Sequence, residues 1–251
     1  MPLPISVAII TLNEENFIGD CIRSVLDIAD EILVVDSFSS DKTAEISESL
    51  GAKVIRRAFD DFSEQKNFAL NMCKNDWVLF LDADELLSEK ARQEIRKIDF
   101  SSTDFSGFKM RRKNFYLGAH VRVWDEWVLR LFRKSKGRWV GKYVHEKVHL
   151  DGKIGKLSGE IIHFPYHSVY EHFQKTLKFG LLSSNKKYEE GERFSLKKLL
   201  FYPFWAFFKT LILKNGFKDG VRGLIISYSA MIDRIVRYSL LWERDIQEKK
   251  R

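Results

Sequence analysis

Four short apolar runs, separated by segments of helical period, occupy the first hundred residues and leave little freedom in the fold. Residues 6–10 form the first run. Residues 15–28 then place Ile18, Cys21, Ile22, Val25 and Ile28 three or four positions apart. Residues 31–35 are the second run, followed by a polar helical stretch at 41–50 that Gly51 stops. Residues 54–56 are a third, short run. Residues 63–73 are helical, 77–81 are the fourth run, and 88–98 read as a charged helix capped by Ser88. Strands alternating with helices build parallel βαβ units with right-handed crossovers. The expected fold is α/β: a Rossmann-like, mostly parallel sheet with helices on both faces.

The texture then changes twice. From Phe105 to about Pro165, aromatic and β-branched runs are divided by Gly107, Gly118, Gly137, Gly141, Gly152, Gly155 and Gly159, which suggests antiparallel strands and loops over the sheet edge. From Ser168 the pattern is helical. Residues 199–213 hold Phe201, Tyr202, Phe204, Trp205, Phe207 and Phe208 among aliphatics, interrupted by Lys209. The expected organisation is a catalytic domain over residues 1–167 and a helical extension over 168–251.

Charge separates the same two parts. Residues 195–251 carry 12 Lys and Arg against 5 Asp and Glu, which accounts for the whole formal charge of +7. An anionic partner for the tail follows, not a basic surface overall. The stretch 199–213 is short of the ~20 apolar residues that a membrane span needs. Flanked by Lys197, Lys198, Lys209, Lys214 and Lys218, it suits a helix lying in an anionic membrane interface, with packing as a core helix as the other reading. The tail carries no nucleic-acid motif, so nucleic acid is not expected as a partner. Only two cysteines, Cys21 and Cys73, occur, both within helix-like patterns, which fits small apolar residues in a reducing compartment. The first apolar run leads directly into Asn13-Glu14-Glu15 and lacks a basic leader, so it reads as a strand and not a signal peptide. The expected location is cytoplasmic, peripheral at the inner face of the cytoplasmic membrane.

The fourth run ends abruptly in Asp82-Ala83-Asp84-Glu85. In open α/β sheets, ligands bind just beyond the carboxyl ends of the strands. Two carboxylates two residues apart on a turn are hard oxygen ligands, suited to Mg²⁺ or Mn²⁺ held together with a substrate's phosphates. Asp is common where strands turn, so the weight of this pair comes from its neighbours. Thr11 and Asn13-Glu14-Glu15 follow the first run, and Asp36-Ser37 the second. Three such ends side by side form a polar crevice for a nucleotide. There is no GxGxxG and no Walker-type loop, which removes the main support for dinucleotide oxidoreduction and P-loop phosphoryl transfer.

Four segments in this order, residues 5–15, 32–43, 65–70 and 81–85, resemble the family-2 inverting glycosyltransferases with a GT-A fold. The tail, with Pro203, Gly216-Phe217-Lys218-Asp219-Gly220 and residues 238–243, is similar to the branch that includes lipopolysaccharide inner-core β-1,4-glucosyltransferases. The resemblance implies that Thr11, Asn13 and Glu15 line the nucleoside pocket, with Asp36 by the base and ribose. It places Lys66 near the base or diphosphate, and Asp82 and Asp84 on the metal. Many relatives have two consecutive Asp after the second strand; here Ser37 stands second, with a hydroxyl that can still hydrogen-bond a base. The implied donor is a nucleotide-diphosphate sugar, UDP-sugar favoured. The implied acceptor is a hydroxyl of a lipid-linked saccharide, in lipopolysaccharide core, and the implied sugar is glucose.

Further residues are candidates for the chemistry. His145-Glu146-Lys147-Val148-His149 matches the zinc-protease pattern, which needs a helix. Its neighbours Tyr143, Val144, Val148 and Leu150 favour strand, where the two histidines would stand ~13 Å apart, too far for one zinc. The same alternation puts Glu146 on a face with Val144 and Val148, an apolar setting that suits a general base. Asp125 and Glu126 are the rival bases. Arg130 and Arg133 are candidates to clamp the diphosphate. His163 and His167 straddle Pro165 and read as loop histidines, not a metal pair. The alternatives to a glycosyltransferase are a nucleotidyltransferase using the same crevice, which should show a basic Gly-rich loop where Asn13-Glu14-Glu15 is acidic, and a non-catalytic membrane-surface scaffold.

Overall fold

A computed structural model of the chain describes residues 3–141 and 146–249. The alternating runs become β1 (Ile5–Thr11), α1 (Ile18–Arg23), β2 (Glu31–Asp36), α2 (Thr43–Ser49), β3 (Lys53–Arg56), α3 (Phe62–Met72) and β4 (Trp77–Asp82). These four strands pair in parallel, with β1 between β2 and β4 and β3 outside β2. Successive side chains of a strand point to opposite faces. Ile5, Val7 and Ile9 accordingly join Ile18 and Ile22 of α1 in one apolar cluster, while Ala8 joins Ala69 and Leu70 of α3 in another. Helices cover both faces, which is why the strands are apolar throughout and not alternating. Both cysteines are free and buried, and burial pushes the Cys73 thiol up to about 12.

The helix expected over 15–28 is shorter. After Arg23 the backbone closes three-residue bonds, Val25 N–H to Ile22 O and Ile28 N–H to Val25 O. Ser24 explains the change, because its hydroxyl donates to Cys21 O (2.7 Å) and competes with the helical pattern. Ser24 Oγ in turn accepts Leu87 N–H at 3.0 Å, on the short strand β5 (Glu85–Leu87). Helix α4 (Glu89–Arg96) follows, with Ser88 Oγ accepting Ala91 N–H at 3.2 Å as its cap. Gly51 lies at φ +83° beyond α2, the left-handed turn expected of it.

Three long strands, β6 (Phe105–Tyr116), β7 (Ala119–Arg133) and β10 (Lys153–His163), then extend the sheet, and two short ones, β8 (Gly137–Val140) and β9 (Lys147–Leu150), lie between β7 and β10 in the sequence. The eight-stranded order is β3-β2-β1-β4-β7-β6-β10-β5, and β8 and β9 form a separate antiparallel pair. Strand β7 runs antiparallel to β4, and β10 antiparallel to β5, with His163 opposite Glu85. Helix α4 lies so close to β10 that a Cβ on Gly159 would stand 2.2 Å from Ala91 Cα. Only glycine fits there.

The chain divides into two compact units, residues 1–113 with 126–164, and residues 114–125 with 165–251. The second unit contains α5 (Val169–Glu189), α6 (Leu196–Phe208), a π-helical turn (Lys209–Leu213), a 3₁₀ turn (Gly216–Asp219) and α7 (Gly220–Lys249). Tyr116, Val121 and Val123 pack there with Ile226, Trp124 and Tyr166. His172 is buried beside them, its Nδ1 3.0 Å from the Tyr116 hydroxyl and its ring stacked on Tyr166 with centroids 4.3 Å apart. Burial pushes the His172 pKa down to about 4. Hydroxyls of Thr176 and Ser229, 2.8 Å apart, link α5 to α7.

The apolar residues of α6 do not all turn inward. Leu196, Leu200, Phe201, Phe204, Trp205 and Phe208 are exposed, Phe204 by 66%. Val221, Leu224, Tyr228, Ile235 and Trp242 form an exposed stripe along α7 at helical spacing. Among the described residues, no helix is long and apolar enough to cross a membrane.

Candidate active site

Two loops build the wall beside β1 and β2. Asn13, in the left-handed region at φ 56°, has its N–H on Ser39 Oγ (2.8 Å) and its side-chain oxygen under Ser40 N–H (2.8 Å). Glu15 N–H donates to Asp41 Oδ2 and Lys42 N–H donates to Glu15 Oε2, each at 3.1 Å. Asp36 is fully buried and accepts from Ser39 N–H (3.0 Å) and the Ser39 hydroxyl. Asn13 and Glu15 thus lace the β1–α1 loop to the β2–α2 loop, and Asp36 holds Ser39 within the latter. Thr11 Oγ1 is buried without a hydrogen-bond partner among the described residues, an orphan polar atom at the end of β1.

Helix α3 supplies the floor. Ser37 Oγ accepts from Gln65 Nε2 at 3.1 Å, and Gln65 is fully buried with Arg57 on its other end. Neither Gln65 nor Arg57 was singled out from the sequence, although Gln65 opens the segment 65–70 that carried part of the resemblance. Asn67 fixes the facing strand as a backbone would: its amide donates to Trp139 O and accepts Trp139 N–H, both at 2.9 Å. Lys66 is buried above the Trp139 ring, 4.6 Å from its centroid.

At the end of β4 the ionised groups alternate in sign. Lys66 Nζ lies 2.7 Å from Glu146 Oε1 and 3.1 Å from Asp82 Oδ1. Arg130 Nη2 lies 2.7 Å from both Asp82 Oδ2 and Glu85 Oε1. Arg112 Nη1 reaches Glu85 Oε1 at 3.0 Å, and its Nη2 reaches Glu126. The chain Glu146–Lys66–Asp82–Arg130–Glu85–Arg112–Glu126 is therefore a continuous relay of four carboxylates and three cations. Burial alone would push the Asp82 carboxyl up, but Arg130, Lys66 and Arg112 outweigh it and hold it well below the usual range. Burial alone would lower the Arg130 pKa, and Asp82 and Glu85 raise it instead.

Asp84 stands apart from this relay. His163 Nε2 is 3.4 Å from its Oδ2, and Phe164 N–H donates to its backbone oxygen at 3.0 Å. His163 is the last residue of β10, not a loop histidine, because β5 draws that strand end alongside the turn. No group of three or more His, Cys, Asp or Glu suited to a metal occurs among the described residues. A carboxylate and an imidazole on the crevice edge nevertheless fit Mg²⁺ or Mn²⁺ that takes its remaining positions from phosphates and water. Asp82 has one cation on each oxygen, which leaves a second lone pair on each to reach the same ion.

Other expected residues fall differently. Arg133 pairs with Trp77 at the start of β4, where it binds Asp76 (3.3 Å) and Phe100 O and covers the Trp77 ring. That is the opposite end of the strand from Asp82, so Arg133 cannot clamp a diphosphate in this crevice. Glu146 meets an ammonium group where an apolar setting was expected; Val144 and His145 lie outside the described residues. His149 sits on β9 as expected of a strand, exposed and 3.5 Å from Asp151. Glu126 is exposed at the end of the relay, whereas Asp125, buried in the second unit, lies 2.8 Å from His120 Nε2.

The sequence profile described as Glycosyl transferase family 2 matches residues 6–149. The chain is 30% identical over 253 residues to the lipopolysaccharide core biosynthesis glycosyltransferase LpsC of Rhizobium meliloti, an alignment covering 96% of this chain and 93% of that protein. It is 31% identical to an uncharacterized glycosyltransferase of Rickettsia typhi, covering 98% and 89%. Among solved structures, S. aureus TarS superposes with a TM-score of 0.50 at 15% identity, covering 92% of this chain and 55% of that one, which is a likeness of fold.

Proposed function

Since the chain belongs to glycosyltransferase family 2, we propose that it moves a sugar, with inversion, from a UDP-sugar to a hydroxyl of a lipid-linked saccharide. The observation that carries this reading is the relay of buried charges at the end of β4, beside the Asp84–His163 pair. A nucleotide-diphosphate brings at least two negative charges, and this edge offers two buried cations and a metal-compatible pair to receive them. Thr11 and Ser37 supply hydroxyls to the nucleoside, beside loops laced together by Asn13 and Glu15 and braced by the Asp36–Ser39 bonds. Lys66 and Arg130 orient the diphosphate. A divalent ion at Asp84 and His163, with Asp82 adjoining, would neutralise charge developing on the departing diphosphate. Glu146 takes the proton of the acceptor hydroxyl as that oxygen attacks the anomeric carbon from the face opposite the leaving group. Bound diphosphate competes with Glu146 for Lys66, which leaves the carboxylate available as a base.

The likeness to LpsC, named for lipopolysaccharide core biosynthesis, supports lipopolysaccharide core as the acceptor, and the resemblance of the tail to the inner-core glucosyltransferase branch supports glucose as the sugar transferred. The exposed Leu, Phe and Trp side chains of α6, with Lys197, Lys209, Lys214 and Lys218 exposed beside them, suit an anionic membrane surface. The enzyme would then meet its acceptor in the plane of the cytoplasmic face. Turnover of UDP-sugars by the purified protein on membrane-extracted acceptor, with Mn²⁺ and with chelator, tests the reading. Transfer that persists undiminished in excess chelator removes the metal from it, and no transfer from any nucleotide sugar overturns it.

A further inference from the structure

Glu85 is the third carboxylate of Asp82-Ala83-Asp84-Glu85, and the reaction above leaves it without a role. It is fully buried. Its Oε1 receives Arg130 Nη2 (2.7 Å) and Arg112 Nη1 (3.0 Å), and its Oε2 accepts Asp82 N–H at 3.0 Å. The turn that carries Asp82 and Asp84 is therefore tied back onto the residue that follows it. The backbone of Glu85 adds a second constraint: it pairs with His163 in the β5–β10 register, which sets His163 beside Asp84. The Nε atoms of Arg130 and Arg112 have no partner among the described residues, so these two guanidiniums are aimed by their bonds to carboxylates, with the centroid of the Trp139 ring 5.9 Å from the Arg130 guanidinium carbon.

Resting on the glycosyltransferase reading, we propose that Glu85 is a positioning residue that aims Arg130 and the Asp82–Asp84 turn at the donor's diphosphate and its metal. An ionised carboxylate without water is costly unless every lone pair finds a donor. Here each oxygen has a donor, and each donor belongs to a group at the crevice or next to one. The competing role is simpler: Glu85 neutralises two buried arginines and does nothing for the donor. The two roles part when the charge is rebalanced without restoring the geometry.

The test compares wild type, Glu85→Gln and the double variant Glu85→Gln/Arg112→Gln. Thermal unfolding is followed, together with calorimetric binding of UDP in saturating Mn²⁺. Glu85→Gln should lower Tm and weaken UDP by about tenfold or more. In the double variant one cation leaves with the lost charge, so Tm should recover while UDP stays about tenfold weak. UDP affinity within about threefold of wild type in Glu85→Gln, or its return to that range in the double variant, overturns the proposal and leaves Glu85 a neutralising residue. If Glu85→Gln does not fold, the double variant decides alone. Wild-type protein that binds no nucleoside diphosphate would instead bring down the functional reading itself, and this inference with it.

Discussion

Asp84 and Asp82 sit two residues apart yet face different partners, His163 for one and Arg130 with Lys66 for the other. Asp84→Asn should cut transfer to a small residual rate with little loss of fold, and the concentration of Mn²⁺ needed for that residual activity should rise; wild-type rates in this variant would remove Asp84 from the metal. Glu146→Gln keeps size and hydrogen bonding but cannot accept a proton. It should lower kcat by roughly 10²-fold with donor KM nearly unchanged. Steady-state kinetics of Glu146→Gln beside Asp125→Asn and Glu126→Gln identify the base, and a loss confined to either rival refutes the choice of Glu146. Phe38 presents a different kind of strain. It lies at φ 62° and is 59% exposed, so it occupies left-handed backbone without compensating burial. Left-handed backbone costs a non-glycine residue about 1–2 kcal/mol, against about 0.5–1 kcal/mol of extra chain entropy for glycine. Phe38→Gly should therefore raise stability slightly in denaturant titration, and a clear loss would mean that the ring makes contacts worth more than the strain.

At the scale of elements, α5 and α6 carry opposite instructions. Helix α5 buries His172 among Tyr116, Trp124 and Tyr166 in neutral form. Its folded pKa of about 4 lies below the ordinary 6.5, so the unfolded chain takes up a proton that the folded one refuses. The associated stability is complete above pH 6.5 and is lost as pH falls toward 4, by about 1.4 kcal/mol per unit across the window. Denaturation of the second unit followed at pH 7, 6 and 5 should show that slope, and His172→Phe should flatten it. Helix α6 instead leaves Phe201, Phe204 and Trp205 in solvent. Replacing all three with Ser should change stability little, because exposed side chains lose little burial, while weakening binding to anionic vesicles by roughly 10²-fold or more. Unchanged sedimentation with vesicles would mean that this face serves something other than lipid.

For the whole molecule, the tail is both a surface and a scaffold. Its charge should make vesicle binding fall as salt rises, each basic residue near an anionic surface contributing about 1 kcal/mol. Removal of residues 195–251 is not a clean way to ask this, because α7 places Ile226 in the core with Tyr116, Val121 and Val123. Truncation should expose that cluster and cause aggregation, visible by light scattering, whereas the α6 substitutions leave it covered.

The βαβ half was legible in the sequence because its signals are local. Apolar runs, helical spacing, Gly51 beyond α2 and Ser88 before α4 each depend on a few consecutive residues, and the elements lie where these signals place them, except that the helix over 15–28 is cut to Ile18–Arg23. Asp82, Lys66 and Glu146 could likewise be picked out by type and position, one strand end at a time. What joined them was decided by the tertiary fold. Strand β5 has only three residues, too few for any periodicity, and becomes a strand because β10 pairs with it. That pairing turns His163 from an apparent loop residue into the neighbour of Asp84, and seats Glu85 under two arginines from β6 and β7. Arg130 and Arg133 look alike in sequence, three residues apart on one strand, yet the antiparallel register of β7 carries one toward the crevice and the other to the far end of β4. A charge pattern lists donors and acceptors; which carboxylate each arginine meets depends on strand register between segments far apart in the chain, and that exists only once the sheet has closed.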